Sequence, residues 1–257
     1  ERFAERAAQS GDFITTMPLN LTMTRGKFAF DTAGLLSMFA SLSDSKEFSG
    51  ANELPRVAAN LNERYPDTLQ RTLGPDPRVD RLSEAIFTSS PAPIALIGPP
   101  GSGRTTLLHE ALGRQMDAYE GDFSRLQRIW HLDPTRVISG MSIIGQWQRR
   151  LEAIMERLID RLRKQYGGGR QDALYITAPV ALCRVGRSAG SDLSMAAVLR
   201  PYIQRRELPV IIEATPEQWE RLEELDRPLA DLFERLRIDA PPRTEALRIF
   251  IHRRSRI

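Results

Sequence analysis

The stretch Gly98-Pro-Pro-Gly-Ser-Gly-Arg-Thr105 constrains the fold more than any other part of the chain. A short apolar run, Ile94-Ala-Leu-Ile97, precedes it, and Thr106-Leu-Leu-His-Glu-Ala-Leu112 follows. That order predicts a buried strand, a glycine-rich loop and a helix. Such a loop turns backbone N–H groups inward, and the helix N-terminus adds positive potential, so the unit is suited to phosphate. The usual pattern is G-x-x-x-x-G-K-[ST]. Here Arg104 stands where lysine is expected. A guanidinium is larger and forked, so the exchange is not conservative at a tight site. Arg104 either pairs with phosphate oxygens, which guanidinium does well, or turns to solvent or an acidic neighbour.

The 257 residues suffice for one large domain, or one medium domain with an appendage. Apolar residues at 41% and charged residues at 27% are ordinary for a globular protein. No apolar stretch approaches the roughly 18–20 residues of a membrane helix. The single cysteine, Cys183, rules out an internal disulfide framework and fits a reducing, cytoplasmic setting. Net charge is only +3, and no basic stripe or base-reading element is visible, so nucleic acid is not an expected partner. Lysine occurs only at Lys27, Lys46 and Lys164, a bias toward arginine that offers a compositional origin for Arg104. The three histidines, His109, His131 and His252, show no metal-ligand spacing. No methionine opens the chain and it stops inside an expected helix, so it reads as a piece of a longer protein.

Residues 1–70 are the least legible. Residues from Phe13 and from Leu21 have strand character, Asp31–Leu42 suggests a capped helix, and Ser43–Asn52 reads as a loop. Leu54–Arg64 has helical spacing. Beyond Leu73 strands alternate with helices. Helices are expected at Arg78–Phe87, Gly145–Tyr166, Met195–Gln204 and Pro216–Leu225. Strands are expected at Ile94–Ile97, Arg128–Leu132, Ala173–Ile176, Pro209–Ile212 and Leu236–Ile238. This alternation implies an α/β fold with a parallel sheet covered by helices on both faces. Ligands on such sheets bind at the carboxyl ends of the strands, where the Gly98 loop falls.

With these elements placed, the chain from about residue 65 onward resembles the first AAA+ module of the Clp chaperone-unfoldases. Leu73-Gly74, Asp76 and Val79-Asp80-Arg81 match the box that contacts adenine in that family. Arg128–Asp133 matches its second strand, and Gly140–Leu151 its pore-loop segment and the following helix. Leu199-Arg-Pro201 through Arg206-Glu-Leu208 matches a further stretch. The resemblance implies an AAA+ type P-loop large subdomain that binds ATP or ADP. The nucleotide-binding residues it implies are Leu73, Gly74, Gly98, Pro99, Pro100, Gly101, Ser102, Gly103, Arg104, Thr105 and Thr106. It also implies ring assembly with like modules and a protein client.

The departures from the family carry as much information. The acidic pair that ends the third strand is replaced by Thr177 and Ala178. Neither anchors magnesium or acts as a general base, a loss of roughly 10²–10⁴ in rate. The arginines that reach a neighbour's phosphate fall at Asp231 and Leu232, where an arginine finger is worth roughly 10³–10⁵. Of the sensor threonines only Thr215 remains, and the pore loop is Ser142-Ile143-Ile144, without an aromatic. Thr105 is left as a weak magnesium ligand at most.

Little or no hydrolysis is therefore expected, with nucleotide serving as a structural ligand. A nucleotide-free interaction scaffold is the alternative, and an active ATPase using Asp172 or Asp192 is a third reading. The expected division is an N-terminal segment or linker over 1–64, the α/β domain over 65–245, and the start of the family's small helical lid over 246–257. The rest of the lid is absent or outside the chain.

Overall fold

The computed structural model describes residues 48–88, 91–119, 126–141, 145–165, 172–187 and 192–254. They fall within one compact unit spanning residues 47–257. The elements expected within residues 1–46, and the pore-loop residues Ser142, Ile143 and Ile144, lie outside the described residues.

The centre of the fold is β2, Ile94–Ile97, which is buried along its whole length. It runs parallel to β5, Val210–Ala214, on one side and to β6, Glu234–Arg237, on the other. Next to β5 comes β4, Ala173–Ile176, then β3, Ile129–Leu132, all parallel. The edge is β1, Ala58–Asn60, antiparallel to β3, so the order is β1-β3-β4-β5-β2-β6.

The strands alternate between two apolar layers, as the period of two requires. Ala95, Ile97, Leu174, Ile176, Val210, Ile212 and Ala214 join one buried cluster. Ile94, Leu96, Ala173, Tyr175 and Ile211 join the other. The first layer is completed by α5 (Gln146–Gln165), through Leu151, Ile154, Met155 and Leu158, and by α7 (Met195–Gln204). The second is closed by α2 (Pro77–Ile86) and α3 (Arg104–Asp117). Helices on both faces of a mostly parallel sheet are the architecture the alternation implied.

Residues 50–64 are not one helix. Helix α1, Gly50–Val57, takes in positions read as loop, then gives way to β1 and a short 3₁₀ turn, Leu61–Arg64. Gly50, Glu53, Leu54 and Val57 form the buried face of α1, which packs on α5. The chain turns extended at Ala58 because β3 offers an open edge, a tertiary pairing that outweighs the helical spacing. The last strand is Glu234–Arg237, two residues earlier at its start than expected. The fourth runs on to Ala214.

Short elements α4 (Pro134–Ile138), α6 (Pro179–Arg184) and α9 (Arg227–Ala230) link the layers. Helix α8, Pro216–Leu225, follows β5, and α10, Arg243–Arg254, follows β6. No helix among the described residues is long and apolar enough to cross a membrane.

Candidate functional site

The loop between β2 and α3 bends back on itself through two left-handed glycines, Gly101 at φ 80° and Gly103 at φ 95°. A Cβ at either position would meet nothing within 4 Å, so the space in front of both is open. The first four N–H groups of a helix have no intrahelical partner, and those of α3 open into the same region. Ser102 is nine-tenths buried, yet its hydroxyl has no hydrogen-bond partner. Gly98 lies tight against the carbonyl of Ile238, so the residue that follows β6 braces the loop.

This loop floors a cavity of about 800 Å³. Pro100–Leu107 and Glu213 line its floor, Gln70–Asp76 and Arg78 one wall, and Asp239–Pro242 with α10 the other. Leu73 and Phe250 are exposed at 46% and 62% and give the cavity apolar edges.

The Gln70–Thr72 wall is docked onto α3 by consecutive helix residues. Gln70 N–H donates to His109 Nδ1 (3.1 Å), and Thr72 N–H donates to Glu110 Oε2 (3.1 Å). Arg71 bridges Glu110 and Asp117, each at 2.8 Å. Burial, then the charge of Arg64, pushes the His109 imidazole down to about 4, so it stays neutral and able to accept. Asp76 caps α2 and holds Arg78 at 2.7 Å, which keeps its carboxyl below the usual range. Val79 is buried, and Asp80 pairs with Arg114 at 2.9 Å. In this geometry Leu73–Asp76 and Arg78 line the cavity, while Val79, Asp80 and Arg81 do not.

Arg104 does not stand free in the loop. Its Nε lies 3.5 Å from Glu213 Oε1, and each side chain is only 12% exposed. Thr105 donates its hydroxyl to the same carboxylate, as does Tyr175. Burial first, and then Glu213, pushes the Tyr175 phenol well above its ordinary value, so it remains a donor. Glu213 was missed because a charged residue after Pro209-Val-Ile-Ile212 reads as the end of a strand. The alternation of the pleat would have found it, since Ile211 and Glu213 share a face.

Thr177 and Ala178 stand at the carboxyl end of β4. The Thr177 hydroxyl meets His131 Nε2 at 3.0 Å, and Ala178 is the N-cap of α6. Burial, followed by Arg64, lowers the His131 pKa. Thr215 caps α8, accepting from Gln218 N–H at 3.2 Å. Asp231 is exposed and near two arginines, Arg227 at 3.5 Å and Arg235 at 4.0 Å, with Leu232 half-buried beside it. Asp172 accepts from the backbone N–H of Arg128 and from the Trp130 indole, while Asp192 is exposed. Cys183 is buried, and burial pushes its thiol up to about 11.

The open glycines fit phosphate oxygens, while the Ser102 hydroxyl lies enclosed beside Gly98. A magnesium ion fits less well. Thr177 is neutral, and Arg104 sets a cation beside the nearest carboxylate. Among the described residues no cluster of three His, Cys, Asp or Glu could hold a metal.

Fold and loop together give an α/β domain, a mostly parallel sheet flanked by helices with a glycine-rich loop after its central strand, that resembles AAA+ modules. The chain is similar to the ClpB chaperone of Mycoplasmoides gallisepticum, 25% identical over 221 residues, covering 85% of this chain and 29% of that protein. It is 26% identical over 199 residues to ClpB of Porphyromonas gingivalis, covering 77% of this chain and 22% of that one. It is also 26% identical over 191 residues to the Bacillus subtilis negative regulator of genetic competence ClpC/MecB, covering 74% and 22%. It therefore spans under a third of the length of these relatives. The fold matches Hsp104 with ATPγS and FITC-casein in its closed state, at a TM-score of 0.64 and 18% identity, over 77% of this chain and 32% of that one. It also matches the Saccharomyces cerevisiae Hsp104–ADP complex, at 0.59 and 18%, over 77% and 26%. No protein-family model matches the chain.

Proposed function

We propose that this chain is a nucleotide-binding module of a chaperone-unfoldase-like assembly in the cytoplasm, loaded with ATP or ADP and turning over little or none of it. The observation that carries the reading is the open cradle of Gly101 and Gly103 on the floor of the cavity. Gly98–Thr106 would hold the phosphates, and Leu73, Gly74 and the apolar edge at Phe250 would take the base. Relatives named as ClpB chaperones, and Hsp104 matched as complexes with ATPγS or ADP, support the same reading. Nucleotide would then act as a rivet or a switch between like modules, and Ser142–Ile144 would face a protein client. Thr215, busy as a helix cap, would sense nucleotide only through the position of α8.

Little turnover follows from what stands near the cradle. Thr177 and Ala178 supply no base, and Asp231 would repel a neighbour's phosphate. Phosphate release from ATP by the purified assembly tests this. Background rates are expected. Sustained turnover abolished by Thr105→Ala would contradict it. The pairing of Arg104 with Glu213 favours a second reading, a scaffold that has lost its ligand. An absence of nucleotide binding would select that one.

A further inference from the structure

We infer that Glu213 is a built-in anion of the phosphate cradle, which makes the site select a metal-free nucleoside diphosphate over the metal-bound triphosphate. The inference rests on the nucleotide reading above and names which nucleotide the site takes.

Its basis is the division of labour in a loop of this type. The glycine-rich backbone cradles the inner phosphates, the basic side chain reaches toward the outer ones, and the hydroxyl that follows takes the metal. In this chain the first set of groups is open. Gly101 and Gly103 face empty space. The other two groups both meet one side chain. Glu213 accepts the Thr105 hydroxyl on both oxygens, at 2.9 and 3.1 Å, and lies 3.5 Å from the Arg104 guanidinium.

The placement of Glu213 follows from the strand. It pairs in register with Leu96 of β2 and faces the α3 side of the sheet, as Ile211 does. Tyr175, on the neighbouring strand and 2% exposed, donates to it and fixes the carboxylate beneath the first turn of α3. Both members of the Arg104–Glu213 pair are 12% exposed, so water screens their charges poorly.

Two consequences follow. A diphosphate reaches the open half of the cradle without displacing anything. A third phosphate would bring further negative charge toward a fixed carboxylate whose arginine is already neutralised. A metal ion would find a guanidinium beside the nearest carboxylate.

The test is calorimetric titration of ADP and of ATP, each with magnesium and with chelator, into the whole chain and into Glu213→Gln. Glutamine keeps the size of the side chain and still accepts from Thr105. The wild-type chain is expected to bind ADP about tenfold more tightly than ATP, with little gain from magnesium. In Glu213→Gln the affinity for ATP is expected to rise about tenfold while that for ADP moves less than about threefold. An unchanged ratio of the two affinities overturns the inference. So does weaker binding of magnesium–ATP by the variant, which would make Glu213 a metal ligand. Should the variant fail to fold, the wild-type ratio decides alone, and tighter binding of magnesium–ATP than of ADP overturns the inference. Neither nucleotide binding to either folded protein would overturn the nucleotide reading itself.

Discussion

Thr105 donates its hydroxyl to both carboxylate oxygens of Glu213, joining the first turn of α3 to the strand beside the phosphate loop. Tyr175 completes the arrangement from the next strand. Residues 105, 175 and 213 are far apart in sequence, yet they hold one another at the floor of a single cavity.

Removing the Tyr175 hydroxyl should therefore be felt in stability. Tyr175→Phe keeps the ring in its buried layer and leaves the Glu213 carboxylate one donor short. A loss of about 1–3 kcal/mol is expected from urea unfolding. A change of only a few tenths would show that Glu213 is satisfied without the phenol.

The N-terminal part of the domain is held by a second ion pair. Glu53 of α1, only 8% exposed in its side chain, meets Arg150 of α5 at 2.6 Å. Arg150 also donates to the carbonyls of Val137 and Ser139. Glu53→Ala would leave a nearly buried guanidinium without its counter-charge, at a cost of about 3 kcal/mol in chemical unfolding. A near-neutral result would mean that α1 contributes little to the fold.

The wall of the cavity should respond to pH through His109. Its folded pKa, about 4, lies below the ordinary value of 6.5. The unfolded chain thus binds more protons between those values, so stability falls as pH drops through that window and levels off below it. Protonation at Nδ1 would also remove the acceptor for Gln70 N–H. His109→Gln offers a replacement acceptor without the titration. The melting temperature of the wild type relative to this variant should decline from about pH 6.5 to about pH 4. Parallel curves for the two proteins would count against the assignment.

What the sequence made legible follows from how local each signal is. Ile94–Ile97 and Ala173–Ile176 are strands at their expected bounds because uninterrupted apolar runs are buried on both faces. Met195–Gln204 and Pro216–Leu225 are helices as expected, started by Ser194 and Thr215 caps written into the chain. β1 was illegible, since Ala58-Ala-Asn60 has no strand character and is extended only because β3 pairs with it. The same holds at the site. The loop was readable as a contiguous motif. The face of the sheet that Glu213 takes was readable from the pleat, but its contacts with the distant Thr105 and Tyr175 were not. The docking of Gln70 and Thr72 on His109 and Glu110 is likewise a contact no spacing rule announces.

The most direct measurement is calorimetric titration of ADP into the purified chain and into Gly103→Asp, which puts a side chain and a negative charge at a left-handed position facing the open cradle. Saturable one-to-one binding by the wild type, lost in the folded variant, is the result this account predicts. No heat of binding up to millimolar ADP, or equal binding by both proteins, would contradict it.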